Sequence, residues 1–183
     1  FLATIPDALK ATVRRVCMDM WEGYAGAVAA ALPNAQIVVD RFHVAVRYRE
    51  AVDALRQAEC RRLNAERTPE RAVSTAELRP LLRREWRSLN PDQQGKVVEL
   101  FEQTPTLASA YVLRTLLTAI FEHSPDRATA QTRLRLWTEQ VKTSGLRCFD
   151  KFLDTLHHWR NEILNYFDGR HTSGFVEGLN NKL

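Results

Sequence analysis

Residues 16–43, VCMDMWEGYAGAVAAALPNAQIVVDRFH, decide the fold class of this chain. Val16–Met18 and Ile37–Val39 are short apolar runs, and such runs are typical of buried strands. Between them, residues 22–32 are rich in alanine, a good helix former, and Pro33 ends the predicted helix. Another helix is predicted before the first run. Helix, strand, helix, strand in this order predicts an α/β unit with parallel strands.

The pattern that follows Asp40 predicts helices only. Apolar residues from Phe42 to Leu63 keep helical spacing and predict one long, heavily charged helix. Three later prolines directly follow Asn, Thr or Ser, which is the pattern of a capped helix start. The further predicted helices span residues 78–89, 91–103, 105–122, 125–143 and 148–167, and a last short helix begins near Gly174. The chain is therefore expected to be mostly α, with a small α/β part.

Composition narrows the class of protein. A chain of 183 residues with 45% apolar residues can form one sizeable core, alone or with an appended lobe. It has no apolar run long enough for a membrane span and no signal-peptide pattern, so a cytoplasmic protein is expected. Its three cysteines are far apart and form no Cys-x-x-Cys pair, which argues against a disulfide scaffold and a structural zinc site.

Arginine is the main source of positive charge. The net charge is +4, and arginines outnumber lysines 21 to 5, with clusters in residues 41–72 and 79–87. The planar guanidinium fork suits phosphate, although an arginine bias can also reflect genomic composition. The balance permits nucleic-acid binding without requiring it. The candidate DNA-contacting residues are Arg47, Arg56, Arg83, Arg84, Asn181 and Lys182.

Two acids directly follow the predicted strands. Asp19 and Asp40 lie where functional groups gather in parallel sheets, at the carboxyl ends of the strands. Each can also be a helix cap, since Asp is favoured at that position. Asp40 and His43 have the spacing of a weak metal pair, but a lone histidine is more often structural. The residues alone therefore leave the metal and cap interpretations of both acids open.

A third acid, Glu177, stands near the start of the last predicted helix. A carboxylate there gains from the helix dipole, and if Gly174 is the cap, Glu177 can reach back to the cap N–H. Glu177 therefore also has a purely structural interpretation. Trp159 is most simply a packing residue, with contact to a nucleotide base as the alternative.

Three stretches around these acids resemble one family when they are read together. They are VCMDMWEGY at 16–24, LPNAQIVVDRFHV at 32–44 and HTSGFVEGLNNKL at 171–183, with LLRRE at 81–85 and WRNEILNYF at 159–167 between them. They look like the blocks of DDE transposases of the ISL3 insertion-sequence type. The resemblance covers nearly the whole chain, and the order and wide separation of the blocks make it specific.

The resemblance implies an RNase H-like catalytic core, truncated here, that carries a large all-helical insertion. Asp19 matches the second acid of the catalytic triad and Glu177 the third, and both would bind Mg²⁺ or Mn²⁺. Asp40 and His43 match a supporting signature. The first acid is expected before Phe1, so this fragment is expected to be inactive by itself. One departure is Ser173, where the family usually has Asn.

The implied organisation has three parts. Residues 1–48 would be the C-terminal part of the core, 49–167 the helical insertion, and 168–183 a returning core helix. The implied partners are transposon-end and target DNA and further copies of the protein, as a homodimer or higher assembly on DNA.

The leading hypothesis is thus a piece of a DNA-cleaving and DNA-joining enzyme. The alternative is a non-catalytic helical DNA-binding or assembly module whose acids are caps. A metal hydrolase that uses Asp40 and His43 is a third hypothesis, supported by little beyond their spacing.

Overall fold

A computed structural model of the chain describes residues 2–66 and 75–172. Its sheet contains two parallel strands, β1 (Arg15–Met18) and β2 (Gln36–Val39), with Met18 paired to Val39. Helix α1 (Asp7–Lys10) precedes β1, and α2 (Glu22–Ala31) connects the strands. Neighbouring parallel strands need a crossover connection of this kind. The predicted α/β unit is therefore confirmed.

Helices dominate the rest of the described chain. They are α3 (Arg41–Ala65), α4 (Thr75–Arg83), α5 (Pro91–Gln103), α6 (Pro105–His123), α7 (Arg127–Ser144), α8 (Asp150–His158) and α9 (Arg160–Leu164). Short 3₁₀ turns occupy Leu2–Thr4, Trp86–Ser88, Arg147–Phe149 and Asn165–Asp168. The expectation of a mostly α chain with a small α/β part is confirmed. Within the described ranges, no helix has both the length and the apolar character that a membrane crossing requires.

Local capping chemistry sets several helix boundaries. Asn90 and Gln93 form a reciprocal capping box at the start of α5, which confirms the start predicted from Asn-Pro. Asp40 accepts a 2.8 Å hydrogen bond from the Phe42 backbone N–H and caps α3. Gly145, at φ +69°, ends α7 in the left-handed conformation that glycine adopts most readily.

The end of α4 differs from the prediction of a helix over residues 78–89. The helix ends at Arg83, and the chain turns before α5. The guanidinium of Arg114, from α6, donates to the backbone carbonyls of Leu82 and Arg84. A tertiary donor thus satisfies carbonyls that are left open at a helix end.

Two other helices also differ from their predictions. α7 begins at Arg127 rather than at residue 125, because Asp126 accepts a 2.7 Å hydrogen bond from the Thr129 N–H and is the cap. The single helix predicted over 148–167 is divided into α8 and α9, with 3₁₀ turns at both ends. The division falls at Trp159, which leaves helical geometry at φ −95° and ψ 22° while its indole is buried in the core.

The hydrophobic core has two parts of unequal size. In the helical region, Trp137 packs edge-on against Phe149 and Phe152 and donates from its indole N–H to the Leu113 carbonyl at 2.8 Å. A smaller cluster beside β1 and α2 contains three buried side chains, Met18, Val28 and Leu32.

The predicted domain boundaries stay predictions. α3 runs without interruption through residue 48, where the first boundary was placed. The main core cluster contains Val38 and Val39 of β2 together with residues of the helices. The strand β2 and the helical region therefore share one apolar interior.

Candidate active site at the carboxyl ends of the strands

Asp19 directly follows β1 and is not a helix cap. Helix α2 begins at Glu22, and the residue at its N-cap position is Trp21. The cap interpretation of Asp19 is therefore wrong. Its Oδ1 atom is buried and makes no hydrogen bond with any residue of the described ranges.

An unpartnered, buried carboxylate oxygen is costly. Leaving a buried polar group without a hydrogen bond costs about 1–3 kcal/mol, and more when the group is charged. An atom of this kind in a native protein therefore calls for a specific explanation, and one such explanation is a bound ion. A hard divalent cation prefers oxygen ligands, so the donor chemistry of Asp19 fits Mg²⁺ or Mn²⁺.

Asp40 lies beside Asp19 but serves a different purpose. Its backbone N–H donates to the Met18 carbonyl at 2.9 Å, which extends the strand pairing and brings the two acids to the same edge of the sheet. The side chain is 2% exposed and caps α3. The cap interpretation of Asp40 is confirmed.

His43 lies in the first turn of α3, with its ring edge-on to Phe42 at 5.5 Å between centroids. Its backbone N–H donates to the Asp40 carbonyl at 3.1 Å. Across residues 2–66 and 75–172, no three His, Cys, Asp or Glu side chains lie close enough together to hold a metal ion. Asp19 is thus the acid at this edge with a side-chain oxygen, Oδ1, that has no hydrogen-bond partner among the described residues.

The chain returns to the sheet at the end of the helical region. Asn165 donates from its side-chain amide to the Ile37 carbonyl of β2 at 2.7 Å. Gln36 donates to Asp168 at 3.2 Å, and Arg127 of α7 donates to both Asn165 and Asp168. We refer to Arg127, Asn165 and Asp168 as the return latch. It fixes the end of the helical region to β2.

From the latch the chain continues to β1. Arg170 donates to the carbonyls of Phe121 and Ser124. The Cys17 thiol lies 3.6 Å from the His171 carbonyl, and Arg15 lies 3.0 Å from the His171 ring. Residue 171 therefore lies against β1, and Cys17 is only two positions before Asp19.

The other predicted site residues near the C-terminus cannot be compared with this geometry. Glu177, Asn181 and Lys182 lie outside the described residues, as does Ser173. The predicted pairing of Asp19 with Glu177 stays a prediction.

The four candidate arginines differ in accessibility. Arg47 is 58% exposed, and its guanidinium is 3.7 Å from Glu50. Arg84 is exposed and bonds to Ser88 and Gln93. Arg56 is 3% exposed, so its guanidinium faces the protein rather than solvent.

Arg56 belongs to an ion-pair cluster around Asp53. The Asp53 carboxylate is 3.3 Å from Arg56 Nε and 3.5 Å from Arg79 Nε, and it also accepts from Arg83. Burial opposes ionisation of Asp53, but the hydrogen bonds from Arg83 and Arg56 outweigh it and lower its pKa. The exposed guanidinium of Arg83 is therefore partly neutralised by the Asp53 carboxylate.

Sequence reasoning did not find the return latch or the Asp53 cluster. The latch joins β2, α7 and the end of α9. The Asp53 cluster adds Arg79 and Arg83 of α4 to the i, i+3 pair of Asp53 and Arg56, so local spacing predicts that one pair only. A signal for the latch was the run at 159–167, where Asn165 interrupts the apolar residues 163–167.

The comparison with protein families decides the identity of the chain. Residues 1–183 match the model of the ISL3-type DDE family, which is described as "Transposase". The chain belongs to this transposase family. The match covers both strands, the helical region and the segment that returns to β1.

A curated relative of this transposase chain is the "Transposase for insertion sequence element IS1001" of Bordetella parapertussis. The two are 29% identical over 184 residues, which cover 100% of this chain and 45% of the relative. The chain therefore spans a little under half the length of the relative. No solved structure matches it.

Proposed function

We propose that this chain is part of the catalytic domain of a DDE transposase, in which Asp19 and Glu177 bind divalent metal for DNA strand cleavage and strand transfer. The observation that carries the proposal is the Asp19 carboxylate. It follows β1, it does not cap α2, and its buried Oδ1 is left without a partner in the described part of the chain. An RNase H-like arrangement of the complete core is part of this proposal.

The path of the chain supports a shared site. Successive strand residues rise about 3.3 Å, so Asp19 lies about 7 Å beyond Cys17, against which residue 171 packs. Glu177 is six residues after His171. Six residues span about 9 Å as a helix and at most about 21 Å when extended. Either conformation lets the Glu177 carboxylate reach the edge where Asp19 lies.

The residue types fit phosphoryl transfer. When bound, Mg²⁺ or Mn²⁺ activates the attacking oxygen and stabilises the leaving oxygen at a DNA phosphate. The chain supplies the carboxylate of Asp19 from the end of a hydrogen-bonded strand, which restricts its position. Asp40 holds the start of α3 beside it, and the His43 N–H contacts the Asp40 carbonyl. We assign Asp40 and His43 supporting roles. The family resemblance implies one further acid, the first of the triad.

DNA would be held mainly through its phosphates. Exposed arginines attract a phosphodiester backbone without reading its sequence. We assign such contacts to Arg47, Arg83 and Arg84, and to Asn181 and Lys182. Arg56 would act indirectly, by orienting Asp53 and through it the exposed Arg83.

The direct test replaces Asp19 by Asn in the full-length protein. Asn keeps the shape but removes the charge, so strand cleavage and strand transfer should fall at least about 100-fold, because metal ions supply several kcal/mol of transition-state stabilisation. Binding to transposon-end DNA should remain. Asp154→Asn, at an exposed position of α8, is the matched control and should retain activity. Normal cleavage by the Asp19 variant would support the non-catalytic DNA-binding module instead.

A second readout examines the pairing of Asp19 with Glu177 without relying on catalysis. Fe²⁺ loaded in place of Mg²⁺, with ascorbate and peroxide, should cut the polypeptide near both residues. Asp19→Asn should abolish both cuts. Cleavage near residue 19 alone would show that Glu177 lies elsewhere.

A further inference from the structure

Exposed aromatic rings gather at the carboxyl ends of the two strands. In the described ranges, the Phe, Tyr and Trp side chains that are more than half exposed are Trp21 at 56%, Tyr24 at 55% and Phe42 at 57%. Met18 and Val39 are paired in the sheet, and Trp21 and Phe42 each follow their paired strand residue by three positions. The starts of α2 and α3 therefore carry open rings at the edge where the proposed metal ligand lies.

The position of the Trp21 ring is restricted by its neighbours. Trp21 stands at the N-cap position of α2, and its ring meets the Tyr24 ring edge-on at 4.5 Å between centroids. The ring also lies against Gly23, where an added Cβ atom would be only 2.8 Å from Cζ2 of Trp21. Glycine at this position thus leaves the space that the ring occupies. A ring that is already in place loses little conformational freedom when a ligand binds to its open side.

The segment that carries Trp21 is held at both ends. On one side, Met18 is paired with Val39 in the sheet. On the other side, Glu22 begins α2, and its carboxylate contacts the imidazole of His158 at the end of α8. The turn between β1 and α2 is therefore fixed to the sheet and to the helical region.

Trp21 is close in the chain to the proposed metal ligand Asp19. Two residues span at most about 7 Å between Cα atoms. Successive phosphates of one DNA strand are about 3.4 Å apart along the duplex axis. The Trp21 backbone therefore lies within about two nucleotide steps of a phosphate bound at Asp19.

We propose that Trp21 is a stacking platform for the terminal base of the DNA strand that is cleaved at Asp19. Inside a duplex each base is stacked on both faces, whereas the base at a cleaved strand end loses its neighbour on one side. The open side of the Trp21 ring would replace that neighbour and hold the cleaved end for strand transfer. Stacking accepts every base, and a base carries no charge that the Glu22 carboxylate could repel. The inference rests on the proposed function, because Asp19 defines where the strand is cleaved.

Two other exposed rings show why Trp21 is favoured. Phe42 follows Asp40, whose carboxylate caps α3. Trp86 is 38% exposed and lies in the turn between α4 and α5. Among these three rings, Trp21 is the one that follows Asp19, the acid whose Oδ1 atom has no hydrogen-bond partner in the described part of the chain.

The experiment measures binding of the full-length protein to two transposon-end probes, one uncut and one already cleaved. Trp21→Leu keeps an apolar side chain but removes the aromatic face. It should weaken binding of the cleaved probe at least about 5-fold and of the uncut probe less than about 2-fold, because only the cleaved probe offers a terminal base. Trp21→Phe restores a ring and should recover most of the lost affinity.

Two further variants separate stacking from folding. Gly23→Ala keeps Trp21 but displaces its ring, and alanine is the better helix former, so the fold should be retained. This variant should still weaken binding of the cleaved probe at least about 3-fold, because the ring no longer lies in its place. Trp86→Leu is the matched control, since it makes the same change at another exposed tryptophan. It should leave the ratio of the two affinities unchanged.

A photochemical crosslink locates the base. 5-Iodouracil at the end of the cleaved strand should crosslink to Trp21 under ultraviolet light, and mass spectrometry identifies the modified peptide. A crosslink to a different peptide would overturn the proposal. So would an unchanged affinity ratio with Trp21→Leu and Gly23→Ala. Loss of self-association in these variants, with the affinity ratio unchanged, would assign the ring to a protein contact instead.

The two proposals fail in different ways. The platform proposal fails alone if Asp19→Asn abolishes cleavage while Trp21→Leu binds both probes normally. The proposed function fails alone if Trp21→Leu loses the cleaved probe while Asp19→Asn still cleaves DNA.

Discussion

The helical region and the α/β unit of this transposase chain differ in how completely they are packed. Around Trp137, aromatic and aliphatic side chains from several helices are almost fully buried. Val38 and Val39 of β2 belong to the main core, but the separate cluster beside β1 and α2 has three buried side chains. Trp21 and Tyr24, on the same part of the chain, are more than half exposed. The larger core can stabilise the fold, whereas the thinly packed edge holds the Asp19 Oδ1 atom, which has no hydrogen-bond partner among residues 2–66 and 75–172. Stability and proposed chemistry are thus assigned to different parts of the molecule.

The largest expected effect tests this division at the centre of the helical region. Trp137→Ala should lower the free energy of unfolding by about 4 kcal/mol, because it creates a large cavity and removes the hydrogen bond to Leu113. Urea unfolding followed by far-ultraviolet circular dichroism measures the change. Trp21→Ala, at an exposed position of the α/β unit, should change it by less than about 0.5 kcal/mol. Similar costs at the two positions would remove the contrast.

The next effect concerns the ion-pair cluster within the helical region. Asp53→Asn should cost about 3 kcal/mol, because it removes the charge that pairs with the buried Arg56 guanidinium and with Arg83. The matched control is Asp92→Asn, at an exposed carboxylate in the first turn of α5. A cost below about 1 kcal/mol for Asp53→Asn would show that the cluster does not stabilise the fold.

The stabilisation by Asp53 should also depend on pH. Its folded-state pKa is lowered from the ordinary 3.8. The contribution is therefore complete above about pH 5 and is lost as pH falls through the folded-state pKa. The difference in unfolding free energy between wild type and Asp53→Asn should shrink as pH is lowered below about 4. A difference that stays constant down to pH 2 would contradict the assigned charge state.

The smallest effect is expected where the helical region meets the α/β unit. Asn165→Ala removes the hydrogen bond to the Ile37 carbonyl and should cost about 1–2 kcal/mol. Amide hydrogen exchange in β2 should become faster, while exchange in α6 should change little. Asn161→Ala, at an exposed position of α9, is the control. Unchanged exchange in β2 would show that the latch does not hold the strand.

Patterns within a few residues of each other determined much of the fold. The apolar runs before Asp19 and Asp40 predicted both strands, and the alanine-rich segment between them predicted their parallel arrangement. Asn90 followed by Pro91 predicted the start of α5, and Asp40 was correctly considered as a cap. Strand formation, capping and turn geometry depend on nearby residues, so a sequence can be read for them directly.

Tertiary contacts decided the features that the sequence could not reveal. The carbonyls at the end of α4 accept hydrogen bonds from Arg114 of α6, and Asp53 of α3 pairs with Arg79 and Arg83 of α4. The status of Asp19 as a cap was also decided in three dimensions: its position in the sequence favoured a cap over a metal ligand, and the start of α2 at Glu22 removed the cap interpretation. Each of these outcomes depends on which distant groups come close enough to donate, accept or exclude water. That information resides in the packing of the folded chain rather than in any local spacing of residues.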